Sequence, residues 1–348
     1  MAIPVKNIYY LLCYAWNALE ENDLVKTDTE EDITLPDLLA RKLLKGSQML
    51  LKRGIDRNYV YQTAAVAGVK GKLDLSATIK ANLLPKRHTI CSFDELTPDV
   101  LTNQLLYTTL YRLTHTTGLQ KQLRTDIKRL LPWFGAISKI NITDAHFSQV
   151  RLHRNNQLYG FLLHICQLLH QHLIPAEEAG HFLFVDIIKN EHKMRLLFET
   201  FIRNFYTIEQ DTYRVGRKNI AWQFHGMDDD SKRFVPQMKT DILLENSEQR
   251  IIIDTKFYKE TMVTNYSKEK IRSVNLYQLF SYLMNQEKAG DALSLTATGL
   301  LIYPTIHADY DLHYRFRDHS ILIKTVNLNT SWQHIRKRLL EILFFSGD

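Results

Sequence analysis

Apolar residues recur at helical spacing along much of the chain. Ile8, Leu11, Leu12, Ala15 and Leu19 share one face and predict a helix over 7–19; the same period predicts another over 35–52. Between them, 21–34 is acidic and polar and reads as a loop. From Tyr59 to Phe93 the texture changes. Tyr59, Tyr61, Gly68, Gly71 and the alternation Lys72-Leu73-Asp74-Leu75 predict short strands and turns. Helical patterns return at 101–115 and 119–131, separated by Thr117-Gly118, and at 157–173, ending near Pro175.

Ala176-Glu177-Glu178-Ala179-Gly180 reads as a linker, dividing the chain into domains of 1–175 and 176–348. Beyond it the pattern predicts a helix over 193–206 and strands near 219–225, 235–245 and 250–258. A helix over 272–286, a strand at 297–304, strands within 313–328 and a helix over 331–345 complete the order. The fold class is therefore α/β: an α+β N-terminal domain, then a domain whose mixed central sheet is flanked by helices.

Composition adds limits. The 45% hydrophobic and 24% charged fractions are those of an ordinary globular protein. Cys13, Cys91 and Cys166 are odd in number and far apart, so no disulfide framework or zinc knuckle is expected, in keeping with a cytoplasmic location. The apolar run from Ile8 to Trp16 carries three tyrosines and no small-residue cleavage site follows. Nowhere do 18 apolar residues run together, so neither export nor membrane association is expected. A formal charge of +6 is compatible with a polyanionic partner.

The chemistry concentrates where two apolar runs flank the polar tetrad Asn246-Ser247-Glu248-Gln249, the pattern of a β-hairpin. A turn centred between Ser247 and Glu248 pairs positions whose numbers sum to 495, which sets Asp241 opposite Asp254. Their Cβ atoms would lie about 4.5–5.5 Å apart on one sheet face. Lys256, two residues on, projects from that same face. Two opposed acids repel, and Asp254 interrupts an Ile-rich run where an isolated charge is costly. Mg²⁺, bound by one or two carboxylates plus phosphate and water, removes both objections. It would activate a water, with Lys256 orienting that water or stabilising the transition state. A surface hairpin with a Lys256–Asp salt bridge is the plainer reading of the same pattern.

The helix at 272–286 places Gln278 and Tyr282 on one face, where Gln can hold a water or a base edge and Tyr can pack or bond to phosphate. Lys259, Lys268, Lys270 and Arg272 precede or open it and would suit a DNA backbone, or form a solvated polar loop. Glu199, on the helix before the hairpin, is a further candidate metal ligand or a polar residue of an amphipathic helix. Glu245 reads as a solvated acid near the turn. His164, His170 and His172 read as helix-surface residues, and Trp16, Trp133, Trp222 and Trp332 as core. There is no GxSxG elbow for Ser-His-Asp catalysis.

Asp241, twelve intervening residues, then Asp254-Thr255-Lys256 resembles the PD-(D/E)xK nuclease signature, with Thr240 where a proline is usual. Gln278 to Tyr282 is similar to the QxxxY extension of its RecB-like branch. The N-terminal Ile3-Pro4-Val5-Lys6-Asn7-Ile8-Tyr9-Tyr10-Leu11-Leu12-Cys13-Tyr14-Ala15-Trp16 resembles the signature of the McrC family of restriction subunits. So do Gly68-Val69-Lys70-Gly71-Lys72, Asn275-Leu276-Tyr277-Gln278-Leu279 and Leu300-Leu301-Ile302-Tyr303-Pro304, in order along the chain.

This resemblance implies a restriction-endonuclease-like C-terminal domain that cuts double-stranded DNA carrying modified cytosine. It also implies an N-terminal domain that docks on, and stimulates, a hexameric AAA+ GTPase of the McrB kind. The region 59–93 would reach that ring, with Lys70 and Lys72 as contacts or as parts of an ordinary glycine turn. No GxxxxGK[ST] phosphate loop occurs here, so the motor would be another chain. Two other readings share the same features: a nuclease-fold scaffold that regulates an NTPase ring without cutting, and a nuclease with a different partner.

Overall fold

The computed structural model describes residues 3–19, 33–152, 156–176, 180–224, 229–258, 263–265, 268–306 and 309–344. The chain forms two compact units, one of 30–185 and one joining 1–29 to 186–348. Most of the loop expected at 21–34 lies outside the described residues.

The division differs from the expected 1–175 and 176–348 at both ends. Helix α1 (Val5–Ala15) belongs to the C-terminal unit. Its ring face is the reason: Tyr14 packs on Phe201 and Phe205, and Tyr10 stacks on Trp332 at 4.8 Å. Buried Asn7 donates to the carbonyls of Leu328 and Thr330 at 2.8 and 2.7 Å, which accounts for a polar residue inside an apolar signature. The expected linker falls inside the 30–185 unit, between Leu173–Pro175 and Phe182–Phe184, which pair antiparallel. Residues 177–179 lie outside the described residues.

The 30–185 unit is built on helices α2 (Leu35–Arg53), α3 (Leu75–Lys80), α4 (Leu101–Thr114), α5 (Lys121–Leu130), α6 (Asp144–Gln149) and α7 (Gln157–His172). Thr34 caps α2 by accepting from the Asp37 amide, as a hydroxyl at that position should. Where short strands were expected, β1 (Asn58–Ala67) and β3 (His88–Thr97) run ten residues each and pair along their whole length, with β2 (Lys72–Asp74) on the far side of β3. Tyr59 and Tyr61 on β1, Val69 just beyond it and Leu75 at the start of α3 are exposed. Gly71 holds its turn at φ +72, and a Cβ there would meet the Ser92 carbonyl at 2.5 Å. Strands β4 (Leu173–Pro175) and β5 (Phe182–Phe184) close the unit.

Three residues expected elsewhere take different places. His172 is buried, its Nδ1 2.8 Å from the Val185 carbonyl, and His164 is half-buried, which lowers its pKa. Trp133 is not core but 75% exposed, on a short turn whose next residue, Phe134, fills the interior instead.

The second unit adds α8 (Glu191–Glu209) and a six-stranded sheet of β6 (Arg214–Gly216), β9 (Ile242–Glu245), β10 (Arg250–Thr255), β13 (Thr298–Thr305), β14 (Asp311–Phe316) and β15 (His319–Asn327). Outside it, β7 (Asn219–Ile220) pairs with β8 (Met238–Lys239), and β11 (Val263–Asn265) with β12 (Lys268–Lys270). The expected strand at 219–225 thus ends at Ile220. The sheet order is β14-β15-β13-β10-β9-β6. Its centre, β15-β13-β10, is parallel and its flanks antiparallel. Parallel β10 and β13 need a crossover, which contains α9 (Ser273–Gln286) and a short turn of helix at Ala292–Leu295. Helix α10 (Trp332–Leu343) ends the order; the Tyr206 hydroxyl of α8 donates to its Leu339 carbonyl.

Helix α9 lies on one sheet face, where Leu279, Tyr282 and Leu283 share a core with Ile252, Leu301, Tyr303, Ile321 and Ile323. The approach is close. A Cβ on Gly299 would fall 2.9 Å from Leu279 and Leu283, so glycine sets the depth of α9 on the sheet. Gly299→Ala should therefore destabilise the protein by about 1–3 kcal/mol through overpacking, read as a lower denaturation midpoint in urea.

Candidate active site

The hairpin register is the expected one. Pairs 250↔245, 251↔244, 252↔243 and 253↔242 all sum to 495, and the ladder stops one pair short of Asp241 and Asp254. The turn is stabilised by Asn246, whose Oδ1 accepts from the amides of Glu248 and Gln249. At the turn end, Glu245 is not simply solvated: with Asp291 it pairs with the buried Arg250, which also donates to Gln286. That network ties the start of β10 to the end of α9.

Asp254 is fully buried near the end of β10. The Lys256 ammonium lies 2.8 Å from its Oδ2, and neither Oδ1 nor Oδ2 has a hydrogen-bond donor in good geometry. Burial pushes its carboxyl up to about 7, with the charges of Asp241 and Glu199 adding to the effect and Lys256 opposing it. Asp241 stands at a bend before β9, where its Oδ2 accepts from the Thr255 amide at 2.8 Å and the Thr255 hydroxyl at 3.1 Å. Thr255 thus holds Asp241 against the strand that carries Asp254.

Lys256 is fixed from the other side. Its Nζ donates to Gln278 Oε1 at 2.8 Å, Gln278 Nε2 donates to the Tyr282 hydroxyl at 2.7 Å, and that hydroxyl donates to the Lys239 carbonyl at 3.0 Å. Gln278 and Tyr282 were expected to face water, base or phosphate. In the structure they form a relay that pins the ammonium, and Tyr282 is buried.

Glu199 joins this group from α8. Burial raises its pKa, Asp241 adds to the effect, and Arg217 and Arg203 pull against it. Arg272 precedes α9, its guanidinium 4.2 Å from the centre of the Tyr258 ring. Tyr258 donates to Asn275, which donates to Tyr303, so the Asn275–Leu279 and Leu300–Pro304 blocks meet through hydrogen bonds. Lys268 and Lys270 lie on the short strand β12, and Lys259 lies outside the described residues. In the other unit, Lys70 lies over the Phe93 ring and 3.6 Å from Glu95, while Lys72 opens β2 and is exposed. Arg217, which no sequence pattern singled out, donates to the Asp241 carbonyl and to Glu199.

Among the described residues, no three His, Cys, Asp or Glu side chains converge as a ready-made metal cage. Asp241 and Asp254 are the side chains here that could hold a divalent cation. No helix among these residues is long and apolar enough to cross a membrane.

A mixed sheet with a parallel centre, carrying a buried acid and a lysine two residues later, is compatible with the resemblance to the PD-(D/E)xK nucleases. The sequence matches the family described as McrBC 5-methylcytosine restriction system component over residues 6–304. It is also 33% identical over 341 residues to the Escherichia coli K12 type IV methyl-directed restriction enzyme EcoKMcrBC, covering 98% of this chain and 97% of that one. The chain belongs to this McrBC family and is a restriction-enzyme subunit. Its fold is similar to a chain in the half-complex of Thermococcus gammatolerans McrB AAA+ hexamers with bound McrC. There the TM-score is 0.59 at 16% identity, over 97% of this chain and 76% of that one.

The buried carboxylate has a thermodynamic signature. A carboxyl that titrates higher folded than unfolded loses stability as pH rises from about 4 through about 7. In EDTA at pH 8, Asp254→Asn should gain about 1 kcal/mol or more, raising Tm by about 2–4 °C. The difference from the parent should shrink on acidification to pH 5. A variant that melts lower at pH 8 would show that the charge is not a burden.

Proposed function

We propose that this chain is the DNA-cutting subunit of a methylcytosine-dependent restriction complex. It hydrolyses phosphodiester bonds of double-stranded DNA carrying modified cytosine, with Mg²⁺ at Asp241 and Asp254, and docks on an AAA+ GTPase hexamer that it stimulates. The carrying observation is Asp254: a fully buried carboxylate without a well-placed donor, next to a second acid and a lysine. Such a group is costly alone and is explained by a cation.

The donor set fits Mg²⁺, which takes oxygen ligands and keeps several waters rather than demanding an all-protein cage. When bound, that ion supplies charge withdrawal from the phosphate and a lowered pKa for an attacking water. The chain's own residues do the rest. Thr255 holds Asp241 in place through two hydrogen bonds. Lys256, aimed by Gln278, presents its ammonium where negative charge develops as the phosphorus–oxygen bond forms. Its pairing with Asp254 and Gln278 leaves it little rotational freedom, so its orientation does not have to be found during the reaction.

The partner reading draws on the relative described as a methyl-directed restriction enzyme and on the fold likeness to a chain from an McrB–McrC assembly. The ribbon of β1 and β3, with its exposed tyrosines and glycine turn, is the surface we assign to the ring, with Lys70 and Lys72 beside that turn.

Two outcomes follow. Alanine at Asp241 or Asp254 should abolish cutting of methylated plasmid while stimulation of the partner's GTP hydrolysis persists. Cutting that survives both substitutions would sink the site. Gln278→Ala and Tyr282→Phe, which free Lys256 without removing it, should lower the cutting rate about 10–100-fold in single-turnover assays with little change in DNA affinity. An equal loss of affinity would instead make them DNA contacts.

A further inference from the structure

Two guanidinium groups converge on Glu199, and the hydrolytic reading leaves both without a task. Arg217 follows β6 in the loop toward β7; its Nε donates to the Asp241 carbonyl at 3.1 Å and its Nη2 to Glu199 Oε1. Arg203, one turn beyond Glu199 on α8, brings Nη1 to 3.6 Å from that same oxygen. That is beyond hydrogen-bond range, and this buried nitrogen has no hydrogen-bond acceptor. One carboxylate oxygen therefore serves two cations. Burial and then the charge of Arg217 lower the Arg203 guanidinium below its usual value, so the two arginines oppose each other. The Arg217 side chain is about one-third exposed and the other two lie deeper.

Glu199 and Asp241 supply the negative charge here, yet both arginines approach the same Glu199 oxygen and Arg203 Nη1 is left without an acceptor. A phosphodiester has two free oxygens, carries a single negative charge and suits the arginine fork. The location limits the choice further, because Arg217 is anchored on the backbone of Asp241.

We infer that Arg217 and Arg203 form a seat for a DNA backbone phosphate, which takes Arg217 Nη2 from Glu199 as it binds. The inference rests on the nuclease reading and adds the group that registers the strand. Asp241 lies beyond the last ladder pair, so its place depends on Thr255 and on this arginine. A phosphate on Arg217 is thereby placed with respect to Asp241 itself. Arg217 and Arg203 are positioning residues for the substrate, and Glu199 is the internal acceptor that occupies them before DNA arrives.

The test is equilibrium binding of a labelled duplex to the full chain in EDTA, where nothing is cut, at salt from 50 to 200 mM. Arg217→Gln should weaken binding about tenfold and reduce the slope of log K against log salt by about 1. Arg203→Gln, on a different element, should do the same, which guards against one variant failing to fold. Glu199→Gln should tighten binding several-fold, and this gain should vanish in the Glu199→Gln, Arg217→Gln double variant. A general field effect of removing a negative charge would persist in the double variant and would overturn the exchange. Unchanged affinity and slope in both arginine variants would overturn the seat while leaving the nuclease reading intact. A parent chain that binds no duplex at any salt, either alone or with its AAA+ partner, would remove that reading and this inference together.

Discussion

Asp254 has its carboxylate in a strand beside three buried isoleucines, and the rest of the second unit can be followed outward from that placement. Ile251, Ile252 and Ile253 are all fully buried, so the strand has no route to water along its length. The acid is set among charged groups: Lys256 two residues on, Asp241 across the end of the ladder, and Glu199 from α8. Each imposes a requirement on the fold. The lysine needs an acceptor to hold it, which brings Gln278; Gln278 needs α9 at a fixed depth, which brings Gly299; and α9 needs its far end tied, which brings Arg250, Gln286 and Asp291. The site is thus a polar line running through a dry sheet-and-helix interface, where unmet hydrogen-bonding needs are expensive.

The features legible in the sequence were those encoded by period and turn chemistry. The 495 register followed from two apolar runs around Asn246–Gln249, because a one-residue slip would have turned Asp254 to the opposite face and out of reach of Asp241. The order of helices and strands in the second unit followed from the same signals. What stayed hidden were contacts distant in sequence. Nothing local tells that Tyr14 will pack on Phe201, so α1 read as part of the first unit. The acidic stretch before Gly180 has linker composition, yet Leu173–Pro175 and Phe182–Phe184 supply strand edges that pair across it. Gln278 and Tyr282 were visible as a pair four residues apart. Their inward direction depends on the Lys239 carbonyl and the Lys256 ammonium, both of which come from other elements.

The ten-residue ribbon shows the same limit from the other direction. Glycines at 68 and 71 break the alternation and made the segment look like several short strands, while the structure keeps the glycines in the turn and extends both arms. Its outward tyrosines gain nothing from folding of the chain itself, which is the usual mark of a surface kept for another molecule.

Because α1 belongs to the second unit while 30–185 forms a compact unit of its own, the first unit is an insert with two covalent crossings. A nuclease module could not be made by severing the chain once. It would need the first helix grafted back, since Tyr10, Tyr14 and Asn7 complete surfaces formed by Phe201, Trp332 and the Leu328 carbonyl. A proteolytic nick between Pro175 and Phe182 would accordingly leave both products associated through that helix, and a clip between α1 and α2 would leave α1 held on the second unit by packing alone.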